Sequence, residues 1–263
     1  MLDQQSESLG TQQGVQSFGT PEDALHAYEQ LIGPARQQFA FSHGIRGMVS
    51  PDIDARTMAA FLLHFSALSV PITEPVEGWI RRAGERCEAL GLAEIGKALR
   101  GHSKAEAGHH EYHKRDFINL IRFWNTRWSP QVDPDAIRAH GVTPGGQRYT
   151  RVHEETIAGP TPYCQFAIEY EIELLPVQYG SRFVENCVRL LGGEILECMS
   201  FATSHIEFDV GHTKFNARFL GRIIAESPDR VAPLVKASTA ALDAFGEHLT
   251  ECMTLAESFG GQQ

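Results

Sequence analysis

Helical periodicity runs almost unbroken along this chain, and no alternating apolar–polar run longer than a few residues competes with it. A sequence of that kind can fold only by packing helices on helices. Thr20-Pro21-Glu22-Asp23 reads as an N-cap followed by proline and acidic first-turn residues, after which Ala24, Leu25, Tyr28 and Leu31 repeat at helical spacing. The stretch from Asp54 to about Val70 carries Met58, Phe61, Leu62, Phe65 and Leu68, and 74–90 and 93–128 continue the helical pattern with dense Ala, Glu, Arg and Lys. Pro71 and Pro75 mark either a boundary or a kinked continuous helix, since an interior proline costs about 3 kcal/mol. Further helices are expected near 163–178, 181–191, 194–225 and 230–258. The connection Ser129–Pro162 is rich in proline and glycine, with a short helix expected at 134–140, and is long enough to act as a lid.

The 263 residues suffice for one large core, and no internal repeat divides them. The expected fold class is all-α, a single domain of seven or eight helices over 21–263 behind a disordered tail, 1–20, rich in Gln, Ser and Gly. A formal charge of -10 argues against nucleic acid as a partner and for a small molecule. No apolar run suggests a membrane span and the N-terminal segment lacks the pattern of a signal peptide, so a cytoplasmic protein with no membrane partner is expected. Oligomeric state, a homodimer included, is left open. Cys87, Cys164, Cys187, Cys198 and Cys252 are odd in number and scattered, and read as reduced, buried thiols.

The chemistry concentrates in three segments. In Ser204–His212, the residues His205, Asp209 and His212 fall at i, i+4 and i+7, which stacks them on one helical face. Imidazole and carboxylate together suit iron, manganese or zinc, and the lack of paired cysteines removes the thiolate alternative. An earlier cluster, 104–113, contains Glu106 and His109 three residues apart, with His110 and His113 as competing histidines. The third segment, 166–175, sets Glu169, Glu171 and Glu173 among large apolar residues, where carboxylates are costly to bury unless they ligate or pair. Glu169 and Glu173 share a face and Glu171 points away; Glu173 is favoured over Glu169 as the inward ligand. Glu74, with Glu77 behind it, is a fourth candidate, although a first-turn glutamate there also suits the helix dipole.

With His205-x3-Asp209-x2-His212 on a late helix, the chain resembles the heme-oxygenase-like diiron oxidases, over roughly residues 55–225. The resemblance implies a compact bundle of about seven helices around a buried site. It also implies a ligand set in which an early glutamate falls on Glu74, a Glu/His pair on Glu106 and His109, and a further glutamate on Glu173 or Glu169, ahead of His205, Asp209 and His212. Glu106-x6-His113 matches the spacing of some members as well. Two ferrous ions and O2 are then the implied cofactor and co-substrate, used to oxidise a small organic molecule, with no catalytic side chain required beyond the ligands. Because His205 and Asp209 can serve one iron while His212 serves the other, a shift of their helix would weaken one site; a labile second iron is expected.

By family analogy the leading substrate class is a free amino acid, with a fatty acid behind it. Arg81, Arg82, Arg115, Arg122, Arg182 and Arg218 are the candidates to grip its carboxylate. Two other classes stay open: a metal-free enzyme or binding protein of the same fold, like thiaminase-type or quinone-cofactor-synthase relatives, and a metal-storage protein. A full ligand set with Phe201, Phe208 and Phe215 beside it leans against both.

Overall fold

The computed structural model describes residues 18–260, so the expected tail lies almost wholly outside the described residues. Within them the chain is all helix, with no strand. Thr20 caps α1 (Pro21–Ala40), its side chain accepting the Asp23 N–H. There follow α2 (His43–Val49), α3 (Ala55–Thr73), α4 (Val76–Ala89), α5 (Ala93–Ser103), α6 (His110–Asn125), α7 (Pro134–Arg138) and α8 (Pro144–Ala158). The second half comprises α9 (Gln165–Leu175), α10 (Ser181–Leu191), α11 (Ser200–Glu226) and α12 (Val231–Gly260).

Twelve α-helices therefore replace the expected seven or eight, and glycine explains part of the difference. Gly91 and Gly108 adopt φ 80° and 84°, conformations open to glycine but strained for other residues; Gly91 sits at the border expected between 90 and 93, whereas Gly108 breaks the run 93–128 that periodicity reads as continuous. Pro71 stays inside α3, and Pro75 falls at the turn before α4. Pro176 acts differently. Lacking an N–H, it opens the ladder between α9 and α10 into a π-type turn, Pro176–Gly180, without breaking the rod.

The expected lid is a correction. Pro134–Arg138 is the short helix foreseen, but most of the remaining segment is α8, whose Tyr149, His153 and Ile157 are buried. Thr143-Pro144 caps it by the same device as Thr20-Pro21, with Thr143 Oγ1 accepting the Gly146 N–H at 3.0 Å. The glycines that make this segment look like loop are there because α8 presses on α12: a Cβ on Gly145 would stand 2.3 Å from the backbone nitrogen of His248. Gly145→Ala is accordingly expected to destabilise the protein by about 1–3 kcal/mol in thermal or urea unfolding; a wild-type midpoint would contradict that packing.

The core joins Tyr28 and Ile32 of α1, Phe61 and Leu63 of α3, Trp79 of α4, Trp124 of α6 and Phe166 of α9, all with 1% or less of their surface exposed. One stretch, Ala55–Ala89, is long and apolar enough to cross a membrane, contrary to the sequence expectation. Most of its apolar window is buried inside the bundle, as a core helix requires. All five cysteines are free and buried.

Candidate metal centre

The three inward-facing polar residues of α11 do share a face, and His205 and Asp209 are buried. Asp116 of α6 fixes where that helix begins, accepting the N–H groups of Ser200 and Phe201 at 2.9 and 2.8 Å. His205 Nδ1 lies 2.7 Å from the Phe201 carbonyl and donates to it, which leaves Nε2 as the ligating nitrogen. On α9, Glu169 and Glu173 face the same space, one turn apart and buried. Glu171 faces away, toward Arg36 and Tyr28.

Glu106 and His109 do not lie on a helix, as the spacing had suggested; they occupy the turn between α5 and α6 around Gly108. They still meet, His109 Nδ1 standing 2.9 Å from Glu106 Oε2. His205 Nε2 is 3.1 Å from His109 Nδ1. His212 Nδ1 is 3.0 Å from Glu106 Oε1, 3.4 Å from Asp209 Oδ1 and 3.7 Å from Glu173 Oε1. One ligand candidate escaped sequence reasoning. His102, in the last turn of α5, places Nε2 2.8 Å from Glu173 Oε1. Its spacing of four from Glu106 was the available signal.

Donor atoms of His102, Glu106 and His212 lie within 4.8 Å of one another, as do those of His102, Glu169 and Glu173. Two polar side chains steady this set from outside: Asn216 donates to Glu173 Oε2 and Gln165 to Glu169 Oε1, both at 2.5 Å. Of the other histidines, His110 turns outward to Glu111 at 2.9 Å. His113 is buried, stacks on Phe201, and has no hydrogen-bond partner for Nδ1 among the described residues. Glu74 is not brought in. Its side chain is 58% exposed, 3.7 Å from His110 and 3.8 Å from Lys114, because the chain leaves α3 on the bundle surface there. Glu77 pairs with Arg81.

The donors fit a cation. Four carboxylates, Glu106, Glu169, Glu173 and Asp209, are buried together, and no lysine or arginine lines their cavity. Burial and the neighbouring Glu173 push Glu169 up to about 8, and burial with Glu106 raises Glu173 well above the carboxylate range. Burial lowers His102 and His205, whereas Asp209 and Glu106 raise His212 to about 10. Glu106 is held low by His109 and His212 against its burial. His212 Nδ1 and Glu106 Oε1 are only 3.0 Å apart, yet neither is aligned for a hydrogen bond. Protons here do the work a divalent ion would do better.

A pH dependence follows from these values. Glu169 and His212 both have raised folded values, so both hold protons at pH 7 that a metal must displace. Divalent-metal affinity is therefore expected to rise from pH 7 through pH 8 and above, with proton release seen in calorimetry as a binding heat that varies with the ionisation enthalpy of the buffer. Affinity that stays flat across that range would show that these groups are not displaced.

The cluster opens onto an apolar cavity of about 150 Å³ between α3, α9, α11 and α12, walled by Phe65, Ile72, Leu175, Tyr179, Phe183 and Leu249. None of the six candidate arginines lines it. Arg81 and Arg82 pair with Glu85 and Glu154, and Arg122, Arg182 and Arg218 are exposed. Arg115 borders a second, more open pocket that also touches His109 and His212.

No protein-family model matches the sequence, and no curated protein matches it. Solved structures do match in shape. A domain of unknown function with a heme oxygenase-like fold from Shewanella denitrificans superposes with a TM-score of 0.73 at 14% identity, covering 91% of this chain and 96% of that one. A TenA homolog from Pseudomonas syringae gives 0.65 at 14% identity, over 95% and 99%. Heme oxygenase from Leptospira interrogans gives 0.56 at 14% identity, over 87% and 98%. The chain thus has the heme-oxygenase-like fold, with a buried cluster of histidines and carboxylates able to hold metal.

Proposed function

We propose that this chain is an O2-dependent non-heme dinuclear iron oxidase acting on a small organic substrate with an apolar body. The observation that carries this reading is the convergence of four buried carboxylates with His109, His113 and His205 on the wall of a cavity without cationic side chains, His102 and His212 standing behind it against Glu173 and Glu106. Glu106, Glu169, Glu173 and Asp209, with His102, His109, His205 and His212, would hold the ions, and His113 stands ready at the same cavity. Iron, when bound, supplies the redox chemistry by which O2 is activated. The chain's own contribution is to orient the ligands through Phe201, Asn216 and Gln165 and to keep water away from the organic substrate.

The apolar walls narrow the substrate. With no arginine to grip a carboxylate in the cavity, an amino acid bearing an apolar side chain or a fatty acid fits better than a polar amino acid. A metal-free reading draws on one observation, the mutual pairing of His102 with Glu173 and His109 with Glu106.

Anaerobic ferrous loading followed by O2 separates the two. The expected result is binding at two unequal sites, with a transient absorbance band that appears only when leucine-like amino acids or medium-chain fatty acids are added. Protein that takes up no iron and shows no change on O2 exposure would sink the oxidase reading; two equally tight sites would sink only the labile second iron.

A further inference from the structure

The helix α3 presents Phe65, Ser69, Ile72 and Thr73 to the cavity, spaced i, i+4, i+7 and i+8 on one face. Ser69 and Thr73 are the polar members of that face; the Thr73 hydroxyl is spent on the Ser69 carbonyl, and the Ser69 hydroxyl is held from behind. His248 of α12, wholly buried, places Nε2 3.0 Å from Ser69 Oγ and Nδ1 2.8 Å from Thr143 Oγ1. The Cys252 thiol, 3.8 Å from Nε2, is the remaining polar neighbour of that ring and a weak one.

The direction of these bonds can be worked out. Thr143 Oγ1 already accepts the Gly146 N–H, and either tautomer of the ring leaves one hydroxyl proton over; with Thr143 donating to His248 Nδ1 that proton is the one on Ser69, which lines the cavity as Thr143 does not. The ring then carries its proton on Nε2 and donates it to Ser69 Oγ. The opposite tautomer leaves the Thr143 proton without an acceptor among the described residues. Burial drives His248 down to about 4, which keeps the ring neutral.

Ser69 is thereby left with its own proton to give. Elsewhere in these helices hydroxyls return that proton to the carbonyl four residues back, as Thr73 does to Ser69, Ser238 to Leu234 and Thr250 to Gly246. Ser69 makes no such bond to Phe65; among the described residues its one partner is His248. A donor facing an apolar cavity calls for an acceptor on the ligand, and the lack of any lysine or arginine in the lining disfavours a charged one.

We propose that Ser69, oriented by His248 and Thr143, is a hydrogen-bonding subsite of the cavity that receives a neutral carbonyl oxygen of the substrate. This rests on the oxidase reading only in taking this cavity as the substrate's, and it narrows that reading: a substrate carboxylate would be met by the metal at the cluster, and the oxygen at Ser69 would be a separate, neutral carbonyl that a simple fatty acid lacks. The probe is heptan-2-one labelled with ¹³C at the carbonyl, bound to the full chain without metal and read by infrared spectroscopy. Its carbonyl stretch is expected below the position found in hexane. Ser69→Ala should return the stretch to the hexane position and weaken ketone binding by roughly tenfold relative to the isostere 2-methylhept-1-ene. Thr143→Val, which touches Ser69 only through the ring, should reduce the shift, and heptanoate should bind more weakly than the ketone.

An unshifted stretch in the wild type, no binding of the ketone, equal loss of ketone and alkene in Ser69→Ala, or tighter binding of heptanoate would each overturn the subsite. Since no metal enters the measurement, a chain that shows the shift but binds no iron would overturn the oxidase reading alone.

Discussion

Replacing Asp209 with alanine is expected to weaken divalent-metal binding by at least about 100-fold and to abolish O2-dependent turnover while leaving the fold intact. The side chain is buried at the centre of the ligand face of α11, 3.4 Å from His212 and on the same side as His205. Its loss removes a donor that no neighbour can replace, because the other carboxylates of the cluster, Glu106, Glu169 and Glu173, are themselves members of the same ligand set. The metal-free protein should respond little, because Asp209 is the first of the groups that hold the proton on His212 but also adds to the charge that raises Glu173, so the urea midpoint without metal should stay near the wild type. Adding ferrous ion at about 1,000 times Kd should stabilise the wild type by about 4 kcal/mol and the variant hardly at all. Retained turnover, or an equal metal-induced shift in both proteins, would defeat the assignment of this cluster.

The site was legible in proportion to how local its signals are. His205, Asp209 and His212 lie within two turns of one helix, where spacing alone fixes a common face. Glu169 and Glu173 could be read from the cost of placing carboxylates among Phe166, Ile168 and Leu175, which requires a partner without naming it. His102 was missed because its partner Glu173 is 71 residues away, and in sequence it is an ordinary basic residue in a last helical turn. Glu74 was placed by the resemblance and its sequence separation, which say nothing about where α3 ends; it is the C-cap of that helix, exposed at the surface, and the acidic residue in the first turn of α4 is Glu77. The all-α class followed from periodicity, and the helix borders mostly from caps and prolines. What periodicity could not reveal was that Gly145 and Gly146 mark close helix contact rather than loop, since both uses of glycine look alike in sequence.

Glu171 supplies the second large effect, away from the metal cluster. Arg36 of α1 donates to it twice, Nε to Oε2 at 2.8 Å and Nη2 to Oε1 at 2.9 Å, and the Tyr28 hydroxyl lies 3.0 Å from Oε1 and 2.7 Å from Ser238 of α12. The carboxylate is 1% exposed, so it is stable in α9 only while the guanidinium answers its charge. Arg36→Met removes that charge and strands Glu171 in the interior, at a cost of about 3–5 kcal/mol in urea unfolding. Adding Glu171→Leu should recover most of the loss, because the cost lies in the unpaired charge and not in the missing pair. Metal affinity of the folded fraction should be unchanged in both variants, since Glu171 points away from Glu169 and Glu173 on the same helix. A single variant with the wild-type midpoint would mean that water reaches Glu171 despite its burial; a double variant as weak as the single would mean that Arg36 acts through packing on Tyr170, 5.7 Å from its guanidinium carbon, rather than through charge.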